Sequence, residues 1–195
     1  MVDVQRDFCD DQPGASLGVA FGGEVAGRIG DYLRTFIDSY DMVVLTSDWH
    51  VDPGPHFSDN PDYRDTWPPH CVAETAGASW HPQLEAALAD IAGRVPTVVI
   101  RKGMHEAAYS GFEGVSLDDQ RYLDDVLRAS GIESLDIVGI ATDHCVRATV
   151  ADALSSGYAT RVLGDLTAAV DVDRGDESLL ALAASGAVVE GTPPR

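Results

Sequence analysis

Short β-branched runs alternate with amphipathic helical stretches along this chain, and that alternation narrows the folds open to it. Strands are expected at residues 1–4, 42–47, 97–101, 134–139, 160–164 and 187–190. Between them, residues 23–40 place Val25, Ile29, Leu33, Phe36 and Ile37 at helical spacing, and residues 82–92 do the same with Leu84, Leu88 and Ile91. Further helices are expected at 118–130, with Asp118 or Asp119 as its cap, at 145–156, closed by Gly157, and at 173–185. Two long stretches, 48–80 and 102–116, lack a period and read as loops. Alternating strands and helices with right-handed crossovers give a three-layer α/β/α fold. Its centre is a mostly parallel, doubly wound sheet of about six strands. The 195 residues suit one domain spanning 1–195.

Composition removes several function classes. The formal charge of −19 repels phosphate backbones and anionic lipid, so neither nucleic acid nor a membrane is an expected partner. No apolar run reaches the length of a membrane-spanning helix, and the first residues do not read as a signal peptide. Three widely spaced cysteines, Cys9, Cys71 and Cys145, fit reduced thiols, and the cytoplasm is the expected location. Spacing does not decide between a monomer and a homo-oligomer.

Ligands on parallel sheets bind beyond the carboxyl ends of the strands, so those ends carry the functional information. Asp3 lies near the end of the first strand, and Asp48 and His50 follow the second. Lys102 follows the third, and residues 141–145 follow the fourth, ending in Cys145 at the start of a helix. Lys102 is the only lysine among twelve arginines, and arginine replaces neither its compact charge nor its ability to lose a proton. A cysteine at a helix start meets free amides and a favourable dipole, which suits a nucleophile. Cys9 and Cys71 read as core residues. Asp48, His50, His56 and His70 form a metal-ligand pattern. Residues two apart on an extended chain share a face, so Asp48 and His50 can share one ion. Imidazoles with one carboxylate suit Fe²⁺, Mn²⁺ or Zn²⁺ better than Ca²⁺ or Mg²⁺. His81 and His105 have no partner spacing and read as surface residues.

These motifs resemble the nicotinamidase/pyrazinamidase branch of the isochorismatase-like cysteine hydrolases over nearly the whole chain. The matching segments are residues 2–9 (VDVQRDFC), 47–50 (SDWH) with His56 and Phe57, 67–71 (WPPHC), 101–103 (RKG), 108–112 (AYSGF) and 139–146 (GIATDHCV). The resemblance implies the isochorismatase-like hydrolase fold and an Asp3–Lys102–Cys145 triad. It implies an oxyanion hole from the N–H groups of Ala141 and Cys145, and a cis peptide between Ile140 and Ala141. It implies one divalent metal ion held by Asp48, His50, His56 and His70. Phe8, Trp67, Tyr109, Ile140 and His144 fall at positions around the substrate ring. Asp7 competes with Asp3 as the base; the motif favours Asp3 and leaves Asp7 to organise the loop.

The implied reaction converts nicotinamide to nicotinate and ammonia through a cysteine thioester, a step in NAD salvage, with pyrazinamide as a second substrate. The alternatives are a related cysteine hydrolase acting on a carbamoyl or other small amide, and a non-catalytic binding protein on the same fold. Two departures stand out. Only Met1 and Val2 precede Asp3, where relatives carry several apolar residues, so a version extended upstream is expected to be more stable. Residues 10–22 are longer than usual and are expected to alter the pocket rim.

Overall fold

The structure is a computed structural model that describes residues 1–195. Its parallel strands are β1 (Val43–Asp48), β2 (Thr97–Lys102), β4 (Ser134–Ile140), β5 (Ala159–Ala168) and β6 (Val188–Glu190). A two-residue strand, β3 (Val115–Ser116), pairs antiparallel with β2. The strands pair in two groups of three, β1–β2–β3 and β4–β5–β6, in line with the mostly parallel sheet of about six strands expected.

The N-terminus joins these halves. Val2 bridges Thr46 of β1 on one side and Gly139 of β4 on the other, both in parallel. The expected first strand is therefore reduced to one bridging residue. Asp3 follows it with φ at 49°, which ends the extended run and turns the chain over the sheet edge.

Helices cover both faces. α1 (Gly22–Phe36) and α2 (Pro82–Asp90) pack on one face, where Val25, Ile29, Leu33 and Leu84 meet Val43, Leu45 and Val138 of the strands. On the other face lie α3 (Leu123–Ala129), α4 (Arg147–Ser155) and α5 (Val172–Ala184). There Leu127, Val150, Leu179 and Leu182 enclose Ile100, Ile137 and Val162. The three-layer expectation holds.

Several boundaries move for local reasons. α1 stops at Phe36, and a 3₁₀ turn at Ile37–Ser39 finishes the segment. α3 begins at Leu123, because Asp118 and Asp119 belong to a turn in which Ser116 Oγ accepts their N–H groups. The helix expected from 145 opens instead as a π-helical turn at Thr142–Val146 that runs into α4. Gly157, with φ at 89°, closes α4 as expected.

His81 is a correction. It is buried rather than exposed, and its Nδ1 accepts the Gln83 N–H to cap α2. Its Nε2 lies 3.1 Å from Asp11 Oδ1. Pro82 supplies the fixed first turn, so the histidine serves as a helix cap, a role that metal-ligand spacing does not detect. His105 is exposed, as expected.

Candidate active site

Four chain segments converge above the junction of the two sheets. β1 ends in Asp48 and β2 ends in Lys102, and the two are direct partners in the parallel ladder. The bridging N-terminus supplies Asp3, and the π-helical turn after β4 supplies Cys145. All four are buried, with Lys102 only 1% exposed.

Lys102 is the hub. Its Nζ lies 2.5 Å from Asp48 Oδ1, 3.0 Å from Asp3 Oδ2 and 3.5 Å from Cys145 Sγ. The Ala108 carbonyl accepts a further bond at 3.3 Å. Thr46 Oγ1 donates to Asp3 Oδ1 at 2.7 Å. Asp3 Oδ2 has only the ion-pair contact with Lys102 and no directed hydrogen bond, so it is the oxygen available to a proton. Asp3, Asp48 and Cys145 offer atoms that all lie within 4.8 Å of one another.

The two carboxylates differ in their protonation. Burial pushes the Asp3 carboxyl above its ordinary range, opposed by Lys102 and reinforced by Asp48. Burial also acts against the Asp48 charge, but Lys102 and the neighbouring histidines hold this carboxyl well below its ordinary range. Burial likewise opposes the Lys102 ammonium, and Asp3 and Asp48 overcome it, leaving the ammonium more firmly protonated than usual. Asp48 is thus the permanent counter-ion and Asp3 the carboxyl that can carry a proton, a division set by environment. Burial raises the Cys145 thiol well above its ordinary value despite Lys102. Removal from water thus opposes the turn's dipole, and a sulfur in this setting needs a neighbouring base to take its proton.

Beside this hub lies a buried histidine cluster. The ligand atoms of His50, His56 and His70 all fall within 4.8 Å of one another. Asp48 Oδ2 approaches His50 Nε2 at 3.7 Å and His70 Nε2 at 3.8 Å. His50 Nε2 and His56 Nδ1 are buried without a hydrogen-bond partner. Burial, then the neighbouring His70 and His50, lower His56 to about 4, so its imidazole is neutral and keeps a free lone pair. Three imidazoles and one carboxylate with orphaned nitrogens are the donor set of a transition-metal or zinc site, so these residues fit a divalent ion.

Cys145, Asp48, His56 and His70 open onto one cleft, with Asp3, Lys102 and His50 buried behind them. Phe8, Trp67, Tyr109 and His144 line it, together with Ala141 and Cys145. Trp67 stands edge-on to His144, with ring centroids 4.9 Å apart, and donates through Nε1 to Tyr109 Oη at 3.0 Å. The Ile140–Ala141 peptide is cis. The Ala141 N–H makes no backbone hydrogen bond within the protein.

A family model for the isochorismatase domain matches residues 1–193. The chain belongs to the isochorismatase family. Among isochorismatase-family relatives, the Mycobacterium tuberculosis nicotinamidase/pyrazinamidase is 50% identical over 173 residues, covering 89% of this chain and 87% of the relative. The zinc-complexed pyrazinamidase of Pyrococcus horikoshii superposes with a TM-score of 0.76 at 31% identity, covering 97% of this chain and 95% of that one. PnC1 of L. infantum, solved with nicotinate, gives a TM-score of 0.76 at 32% identity, covering 97% and 89%.

At this site the structure brings together Asp3, Lys102 and Cys145, and beside them Asp48, His50, His56 and His70. It does not bring the Ile140 side chain to the lining. That side chain is 1% exposed and packs into the core beneath α1, because alternation along β4 turns it away from the cleft. Asp7 does not reach the thiol; its carboxylate accepts the Cys71 and Ser16 N–H groups and so organises the loop, as expected. Cys9 and Cys71 are wholly buried in the core.

Sequence reasoning missed several supports. Thr46 precedes Asp48 by two residues on β1, so strand alternation was a signal for it. Gln5 clamps the Asp48 backbone from both sides, donating to its carbonyl at 2.8 Å and accepting its N–H at 2.9 Å. Asp143 accepts the Val170 N–H at 2.9 Å and lies 3.3 Å from Arg174, tying the nucleophile's turn to the start of α5. Leu17, Val19 and Val170 complete the cleft, so the segment 10–22 does shape its rim. Nothing local in the sequence marked the contacts of Gln5 and Asp143.

Proposed function

We propose that this protein is a nicotinamidase that hydrolyses nicotinamide to nicotinate and ammonia, accepts pyrazinamide, and acts in NAD salvage. The observation that carries the reading is the juxtaposition of Asp3, Lys102 and Cys145 with a three-histidine cluster at the floor of one aromatic cleft. The nicotinamidase/pyrazinamidase at 50% identity and the zinc- and nicotinate-bound neighbours support it.

The chain's own groups account for the chemistry. The substrate ring lies between Phe8, Trp67, Tyr109 and His144, with its carboxamide toward Cys145. Asp3 Oδ2 takes the Sγ proton as the sulfur attacks the carboxamide carbon, and the carbonyl electron pair moves to oxygen. The N–H groups of Ala141 and Cys145 receive that oxyanion. Asp3 passes its proton to the amide nitrogen, the C–N bond breaks and ammonia leaves. Asp3 then takes a proton from water as its oxygen attacks the thioester, and returns that proton to the departing sulfur. Lys102 offsets the negative charge on Asp3 and on sulfur throughout. Asp48, His50, His56 and His70 would hold one divalent ion, Fe²⁺, Mn²⁺ or Zn²⁺, which when bound supplies a Lewis acid able to hold a ring nitrogen.

The histidine cluster favours this reading over a carbamoyl hydrolase, which has no need of it. The single domain 1–195 acts on a small molecule, with neither nucleic acid nor membrane as partner. The three free cysteines support a location in the cytoplasm. Ammonia release from nicotinamide, assayed on metal-free protein with and without added Zn²⁺, Mn²⁺ or Fe²⁺, tests the proposal. Metal-dependent release is expected. No release with any of the three ions contradicts it.

A further inference from the structure

We propose that Gly103 is a positioning residue that fixes the tautomer and seat of His50. Gly103 follows Lys102 directly, leaving β2 with φ at 72°, where glycine is favoured over residues with a side chain. Its carbonyl lies 2.6 Å from His50 Nδ1. A carbonyl oxygen only accepts, so Nδ1 carries the proton and Nε2 is left with its lone pair. That same Nε2 is buried, has no hydrogen-bond partner and faces Asp48 Oδ2.

Space makes a second, independent demand. A Cβ on Gly103 would lie 2.6 Å from His50 Cε1 and 2.9 Å from Nδ1. His50 is wholly buried and packs edge-on against Phe57 and His70, so its ring has no room to retreat. The neighbour of the triad lysine therefore fixes the direction in which His50 points its lone pair. His70 repeats the arrangement, with Nδ1 2.9 Å from the Pro68 carbonyl. Hydrogen bonds of this kind fix the orientation of metal-bound imidazoles and raise their basicity.

The inference rests on reading the histidine cluster as a metal site, and the test separates the two. Imidazole ¹⁵N–¹H correlation spectra of metal-free protein, assigned with His50→Gln, report the tautomer with no metal present. The expected result is a proton on Nδ1 of His50, retained when Zn²⁺ is added while the Nε2 resonance shifts. A proton on Nε2 in the metal-free protein overturns the proposal. Zinc affinity, measured by chelator competition, is expected to fall about 10–100-fold in Gly103→Ala. A folded Gly103→Ala with unchanged zinc affinity and unchanged His50 resonances also overturns it. If that variant fails to fold, the wild-type tautomer decides. If wild-type protein carries the Nδ1 proton but binds no zinc, Gly103 holds His50 as proposed and the metal reading fails alone.

Discussion

Asp48 and Lys102 face each other on one rung of the β1–β2 ladder, with the ammonium 2.5 Å from the carboxylate. That rung joins two sites. Asp48 Oδ1 holds the lysine of the triad, and Oδ2 faces the nitrogens of His50 and His70. The ammonium meets Asp3 and Cys145 on its other side.

Removing the lysine charge should damage chemistry and stability together. Lys102→Met leaves Asp3 and Asp48 buried without their shared cation, and breaking such a group costs about 3–5 kcal/mol. Urea unfolding should show that loss, and ammonia release should fall about 100–1000-fold, as on loss of a charge-stabilising group. A variant that stays as stable and active as the parent contradicts the hub.

Thr46 should matter through Asp3. Thr46→Val removes the bond to Oδ1, and a hydrogen bond to a charged group contributes about 1.5–3 kcal/mol. The rate constant kcat should drop about 10–100-fold with little change in KM, and Thr46→Ser should restore most of it. Equal kcat in the valine variant would remove Thr46 from the account.

His81 predicts the opposite pattern. His81→Ala removes a helix cap and a buried ring, so thermal stability should fall by about 1 kcal/mol or more. Its kcat with nicotinamide should stay within about twofold of the parent. A lost activity in a folded variant would show that the histidine serves the site.

The slot between the two half-sheets gives a prediction in pH. The Met1 ammonium donates to the Val44 carbonyl at 2.8 Å, and burial lowers its pKa from the ordinary 8.0 to about 6. Between those values the folded protein binds fewer protons than the unfolded chain, so stability rises with pH through that window. Beside Met1 an apolar groove is lined by Val43 and Val44 of β1 and Val138 of β4. Four apolar residues fused ahead of Met1 would bury about 6–12 kcal/mol of side-chain transfer energy. About 1–2 kcal/mol per residue of backbone ordering offsets part of it. The melting temperature should rise and its slope between pH 6 and 8 should flatten; equal melting curves contradict this.

Much of this was legible because strand ends carry it. Lys102, Asp48 and Cys145 could be placed at one edge of a parallel sheet from periodicity alone, since each lies on the segment that leaves the carboxyl end of an expected strand. The choice of Asp3 over Asp7 came from motif resemblance, and geometry gives its physical reason: Asp7 is spent on the amides of Cys71 and Ser16. The first strand shrank to Val2 because two valines in Met1–Val4 signal extension but not its length. Gln5 and Asp143 stayed hidden because each acts across more than twenty residues of sequence, and for Thr46 only its strand face was legible, not its partner Asp3. His81 misled because a lone histidine carries no mark that separates a buried cap from a surface side chain.

The most direct measurement is ammonia release from nicotinamide by zinc-loaded protein, run beside Cys145→Ala with folding checked by circular dichroism. A Cys145 nucleophile predicts turnover in the parent and a loss of at least about 1000-fold in the folded variant. Comparable turnover in both would show that the sulfur does not attack the carboxamide, and the triad assignment would fall.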